Sequence, residues 1–148
     1  MNFQLHPQLA EDCYYLGDFP LCALLLSKDA NYPWYILVPR QANISEAFQL
    51  SPNDQQKLQQ ESLQLSEALN NGFCADKMNI AALGNMVPQL HLHHIVRYKT
   101  DAAWPNPVWG FTHANNYTET LLNERVNKTQ QLLNNTGFVA KDSLINRT

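Results

Sequence analysis

"GNMVPQLHLHHIVR" occupies Gly84–Arg97 and holds three of the five histidines of this 148-residue chain. Gly84-Asn85 reads as a turn, and Leu90–Val96 reads as the strand that follows it. Alternate residues of a strand share a face. Gln89, His91 and His93 then lie on one side, with Leu90, Leu92 and His94 on the other. The two leucines mark the second side as the inward one, so the first opens toward solvent or a ligand. Same-face neighbours stand roughly 6.5–7 Å apart along a strand. That spacing suits two groups flanking one reacting centre and is too long for a direct hydrogen bond between ideal neighbours.

The surrounding chain supplies a frame for this strand. "KMNIAAL" (77–83) reads as a strand just before the turn. Ser51–Asn71 reads as a helix. Ser51 is a natural N-cap, Pro52 suits the first helical position, and Asp54 sits three residues past the cap. Leu58, Leu65 and Leu69, with Ser62 between them, form one stripe, and Gly72 ends the helix. "SEAFQL" (45–50) has room for one helical turn. "WYILV" (34–38) is aromatic and β-branched and stops at Pro39. "LCALLL" (21–26) precedes it across "SKDANYP", which predicts a hairpin, and "CYYL" (13–16) is a further short strand. A second helix is predicted over Thr118–Asn134, with Leu122, Val126, Thr129 and Leu133 on one side. "AAWPNPVWGF" (102–111) reads as a Pro-rich loop. The fold class is therefore α+β: a single domain over 1–148, an antiparallel sheet of about five strands, and two main helices.

Composition narrows the function. The chain is 45% hydrophobic and 16% charged, with a formal net charge of -3, which argues against a basic footprint for bulk nucleic acid. A small nucleotide needs only local donors and stays open. Cys13, Cys22 and Cys74 form no CxxC pair, so free thiols in a reducing, cytoplasmic setting are expected. The polar, acidic start does not resemble a signal peptide, and the apolar runs fall short of a membrane span.

Three chemistries fit the His91/His93 pair. The first is an ordinary polar strand edge. The second is a metal site completed by His94, His113 or Asp101. "GNMVPQLHLHH" with "PVWGFTHANN" loosely resembles the two metal-binding motifs of cupins, but the glutamate expected after the pair is absent and the spacings do not fit. Two same-face ligands also fill only half a tetrahedral shell. The third is nucleophilic catalysis. A neutral imidazole whose far nitrogen is protonated, often toward a backbone carbonyl, can attack phosphorus. A second histidine on the same face can donate to a phosphate oxygen.

The same stretch resembles the signature of the histidine triad family of nucleotide hydrolases and transferases, His-φ-His-φ-His-φ-φ, often preceded by Gly-Gln-Ser/Thr-Val. Gly84, Asn85, Met86 and Val87 fall on the leading part; the middle and third histidines fall on His91 and His93, and Gln89 takes the place of the first. "PWYILVPR" (33–40) looks like the family strand that ends in Pro-Lys or Pro-Arg. With "WPNPVWG" downstream, the pattern resembles a bacterial subgroup of probable dinucleoside polyphosphate hydrolases. The resemblance implies His91 as nucleophile at an α-phosphate, a nucleotidyl-histidine intermediate, and His93 as stabiliser of phosphate oxygens and aid to proton transfer. It implies Asn79, Asn85, Met86 (through its backbone N–H) and Gln89 as substrate-binding or positioning residues. It also implies a homodimer. No metal or cofactor is expected, apart from magnesium accompanying a polyphosphate.

The chain departs from the family at several points. Asn85 is a shorter amide than the usual glutamine, Met86 replaces a hydroxyl, and His94 replaces an apolar residue. The family's ribose-binding carboxylate would fall near Leu26 or Ser27, with Asp29 close by. These departures keep a non-catalytic nucleotide-binding or regulatory module as the alternative function. Trp104 and Trp109 are equally suited to packing or to a pocket wall. Arg97 and Arg40 read as surface charges, Cys22 and Cys74 as core residues, and His6 as exposed or structural.

Overall fold

The computed structural model describes residues 2–141. In chain order the elements are α1 (Pro7–Asp12), β1 (Cys13–Asp18), β2 (Cys22–Ser27), β3 (Trp34–Pro39), a 3-10 turn (Ala47–Gln49), α2 (Pro52–Gly72), β4 (Lys77–Ala81), β5 (Leu92–Arg97), α3 (Glu119–Leu132) and β6 (Val139–Ala140). They form one six-stranded sheet in the order β4-β5-β3-β2-β1-β6, and every pairing is antiparallel. This is the expected α+β class with the two expected helices. The sixth strand is the two-residue β6 against Gly17 and Asp18. Gly17 permits that approach, because a Cβ there would stand 2.3 Å from the Val139 carbonyl oxygen.

Two local units build the sheet. β1, β2 and β3 form a meander, and β4 and β5 form a hairpin with a long connection. The units join at the β3–β5 seam, where Trp34 lies opposite Ile95 and Ile36 opposite His93. The chain between β3 and β4 carries α2. Ser51 caps this helix by accepting from the Asp54 N–H at 3.1 Å, and Leu58, Leu65 and Leu69 are buried beneath it.

Both faces of the central strands are covered. Leu24, Leu26, Tyr35, Leu37 and Val96 pack with the α2 stripe and with Val126 and Leu133 of the α3 region. Ala23, Leu25, Ile36 and Val38 pack on the opposite face with Leu9 of α1 and Val87. Burial on both sides is why β2 reads as a continuous apolar run instead of alternating.

One buried acid ties the layers together. Glu61 of α2 accepts from the backbone N–H groups of Leu21 and Cys22 at 2.9 and 2.8 Å. Arg40 is half-buried and not simply solvated: it donates to the carbonyls of Phe19, Pro20 and Leu21. Cys22 is buried as expected, whereas Cys74 is exposed, at a positive φ of 51° just after α2. Cys13 is also buried, and burial pushes the Cys13 thiol up to about 12 and the Cys22 thiol higher. Among the described residues, no helix is long and apolar enough to cross a membrane.

Candidate functional site

The strand β5 begins at Leu92, two residues later than the sequence pattern indicates, so Gln89 and His91 belong to the approach to the strand. The alternation of faces nevertheless holds. His94 is fully buried toward α2, where its Nε2 accepts from the Ser62 hydroxyl at 2.7 Å, and its Nδ1 meets the Leu92 carbonyl at 3.0 Å. A carbonyl only accepts, so Nδ1 carries the proton and both ring nitrogens are used. Burial is the main reason that the His94 pKa is lowered to about 4; its bond to Leu92 acts the other way.

His91 and His93 face the other side, with ring centroids 5.0 Å apart and planes nearly perpendicular. His91 Nδ1 lies 2.7 Å from the Gln89 carbonyl oxygen. The proton therefore sits on Nδ1, and in the neutral ring Nε2 presents a lone pair. The Gln89 side chain turns away from this pair. It accepts from the His6 N–H and donates to the Gln4 carbonyl, both at 2.9 Å, which fastens the N-terminal segment to the approach. His6 itself caps α1 by accepting from the Gln8 N–H.

His93 is buried and flanked by aromatic rings. The Trp34 indole Nε1–H donates to His93 Nδ1 at 3.0 Å. Trp109 stands edge-on with its centroid 5.0 Å from His93 and 5.7 Å from Trp34. Burial, followed by the neighbouring His91 and His94, lowers the His93 pKa to about 3. The ring is neutral at ordinary pH. Trp109 thus belongs to the site, while Trp104 lies under the Arg97 guanidinium, 5.6 Å from ring centroid to Cζ.

Arg97 is not a surface charge; it is 1% exposed. Its Nε and Nη2 donate to the two Asp101 oxygens at 2.7 and 3.0 Å, and its remaining bonds reach the Asn106 carbonyl and Asn79 Oδ1. A guanidinium so fully partnered tolerates burial. Burial pushes the Asp101 carboxyl up, but hydrogen bonds from Arg97 and the backbone N–H groups of Tyr98 and Trp104 outweigh it and leave the pKa lowered. Arg97 takes the oxygen of Asn79, and no described hydrogen bond takes the Asn79 amide N–H groups. Asn79 lies opposite Ile95, which makes it a diagonal neighbour of His93 on the same face.

The other sequence-predicted residues lie apart from this cluster. Asn85 is exposed, and the Met86 side chain is 92% exposed in the loop that follows Gly84, whose φ of +77° makes the turn. Asp29 is occupied: its Oδ1 accepts from the N–H groups of Asn31 and Asn115. Of the third metal ligands considered, His94 faces α2 and Asp101 holds Arg97. His113 is exposed, and its carbonyl accepts from Asn31. Among the described residues, no three His, Cys, Asp or Glu side chains gather as a metal ion would need. The residue that sequence reasoning missed is Trp34. Its signal was only an aromatic at the start of a strand, and its partner lies 59 positions away.

The HIT domain family matches residues 8–100, more than half of the chain. A histidine triad protein from Marinobacter aquaeolei VT8 is 53% identical, with a TM-score of 0.87, covering 90% of this chain and 97% of the other. One from Bradyrhizobium japonicum is 43% identical with a TM-score of 0.87, covering 88% of this chain and 98% of the other. One from Sinorhizobium meliloti 1021 is 40% identical with a TM-score of 0.86, covering 88% and 97%. No curated protein matches this chain.

Proposed function

The chain belongs to the histidine triad family, and from that premise we propose that it is a nucleotide hydrolase or nucleotidyl transferase acting at an α-phosphate. The observation that carries the reading is the His91 ring, with Nδ1 held by the Gln89 carbonyl and Nε2 left as a lone pair beside His93. In this reading Nε2 attacks the α-phosphorus and forms a P–N bond. The bond to the leaving group breaks, and that group departs with the bonding pair and takes a proton from solvent. Water then attacks the same phosphorus, the P–N bond breaks, the lone pair returns to Nε2, and one water proton passes to solvent. In this reading His93 Nε2–H and the Asn79 amide donate to the phosphoryl oxygens. Asn85 and the Met86 N–H complete the proposed substrate-binding set after a loop movement that brings this exposed pair into contact, and Gln89, whose side chain is engaged by His6 and Gln4, acts as a positioner of His91 through its backbone carbonyl. The leaving group is proposed to be a nucleotide or a small conjugate, as in dinucleoside polyphosphates or phosphoramidates, and the molecule to work as a homodimer.

Rapid quench with a panel of such nucleotides, followed by mass spectrometry, tests the chemistry. A nucleotidyl adduct on His91 that chases to product is expected, and it should be absent in His91→Ala. Binding with neither adduct nor product across the panel would make the protein a nucleotide-binding module instead. Sedimentation at micromolar protein tests the dimer.

A further inference from the structure

Trp34 opens β3, and an indole can only donate a hydrogen bond. Its bond to His93 Nδ1 therefore places a lone pair on Nδ1 and the single proton of the neutral ring on Nε2. The sheet enforces this pairing. Trp34 stands opposite Ile95, so His93 is its diagonal neighbour on the same face, and Trp109 packs edge-on against both rings. No other donor reaches His93 in the described hydrogen bonds, and Nε2 is left without a protein partner among them.

The charges around the ring do not favour a second proton. His91 on the same face and His94 at the adjacent position both act against the imidazolium, after burial itself. Further along the face, Arg97 is held by Asp101. Beside it on β4 are Asn79, Ala81 and, at the far end opposite Arg97, the exposed Lys77. On that face β3 adds Trp34 and Ile36, and the loop after β5 adds Trp109. Among the described residues of these elements no carboxylate faces His93 to stabilise a cation, and Asp101 is committed to Arg97.

We propose that Trp34 is a positioning residue that locks His93 as the neutral Nε2–H tautomer, making it a fixed hydrogen-bond donor instead of a group that exchanges protons during turnover. Were the lone pair on Nε2, it would repel a phosphoryl oxygen at the same place. The lock is a property of the fold. It rests on the proposed function only for the identity of the acceptor, a phosphoryl oxygen. Expected proton traffic through His93 is thereby replaced by exchange with solvent.

Long-range proton–nitrogen NMR correlation on histidine-labelled protein reads the lock directly, with His93→Gln used to assign the signals. In the native protein His93 should show an unprotonated Nδ1 and a protonated Nε2, unchanged between about pH 8 and pH 5, where a free imidazole would titrate. Trp34→Phe keeps the ring bulk and removes the donor. Its His93 signals should average between the two tautomers. On a substrate that the native enzyme turns over, kcat should fall about 10- to 100-fold, as for loss of an orienting partner, with KM little changed. A native His93 carrying its proton on Nδ1, or a Trp34→Phe spectrum identical to the native one, would overturn the proposal. The first of these needs no variant, so a Trp34→Phe protein that fails to fold does not shield the idea. Absence of turnover by the native protein, with the expected spectrum, would remove the functional reading and support the lock.

Discussion

His93 and His94 are consecutive residues, both buried and both held neutral, yet they face opposite sides of β5 and have opposite fates. His94 has each ring nitrogen matched, one to the Leu92 carbonyl and one to the Ser62 hydroxyl. His93 has one nitrogen matched by Trp34, and no described hydrogen bond takes its other N–H. A buried polar group with all its bonds satisfied is a structural element of the core. A buried polar group with one donor withheld can give that bond to water or to a ligand that displaces it, and that makes it useful in a site. The same distinction separates Arg97, whose donors are taken by Asp101, Asn79 and Asn106, from Asn79, whose amide N–H groups are left over.

The largest expected effect is on the His91/His93 side of β5. His91→Ala removes the Nε2 lone pair, and turnover of an α-phosphate substrate should fall at least about 1000-fold with no covalent adduct in quenched samples. Retention of activity would mean that the His91/His93 side is not where the chemistry lies. Next comes Arg97→Leu, which leaves Asp101 buried without its cation. Urea unfolding should report a loss of about 3–5 kcal/mol, and Trp109 fluorescence should change as the 101–109 segment loses its anchor. An exposed arginine would give almost nothing.

Acid should act on both faces together. Folded His93 and His94 have pKa values lowered to about 3 and about 4, below the unfolded value near 6.5. The unfolded chain therefore binds protons that the folded chain refuses, and stability falls as pH drops from about 6.5 toward those values. The expected slope is about 1.4 kcal/mol per pH unit for each histidine. Denaturant midpoints between about pH 7 and pH 5 measure it, and His93→Gln should remove about half of the histidine contribution. A curve with no acid sensitivity would contradict the burial of neutral rings. The smallest effect is the sharpest test of the comparison. Ser62→Ala strips the partner from His94 Nε2 and should cost about 1–3 kcal/mol, while kcat stays at the native value below the unfolding transition.

The features legible in the sequence are those that neighbouring residues determine. The Ser51 cap and leucine stripe fixed α2; the apolar runs around "SKDANYP" fixed the β2–β3 hairpin; alternation placed His91 and His93 opposite His94. The helix α1 was missed because six residues hold too few turns to show a period, and its cap is a histidine side chain. β6 exists only by pairing with Gly17 and Asp18, more than a hundred positions earlier. Arg97 was misread because its burial depends on partners from three places, Asp101, Asn79 and Asn106, with the rings of Tyr32 and Trp104 stacked about it. Cys74 lies at a left-handed backbone position after the helix, where an apolar side chain has no core to enter.

The seam between β3 and β5 has a consequence for the order in which this molecule acquires its parts. The β1–β2–β3 meander and the β4–β5 hairpin each involve short-range pairings, whereas the seam closes a loop of more than fifty residues. Loop-closure entropy makes such a contact slow to form, and topology of this kind sets folding rate. Trp34 arrives with one half and His93 with the other. A chain with only the β4–β5 half assembled holds His93 in its strand but has no indole to orient it. A competent site is therefore a late product of folding, and the change in indole fluorescence as Trp34 is buried against His93 and Trp109 would time its arrival.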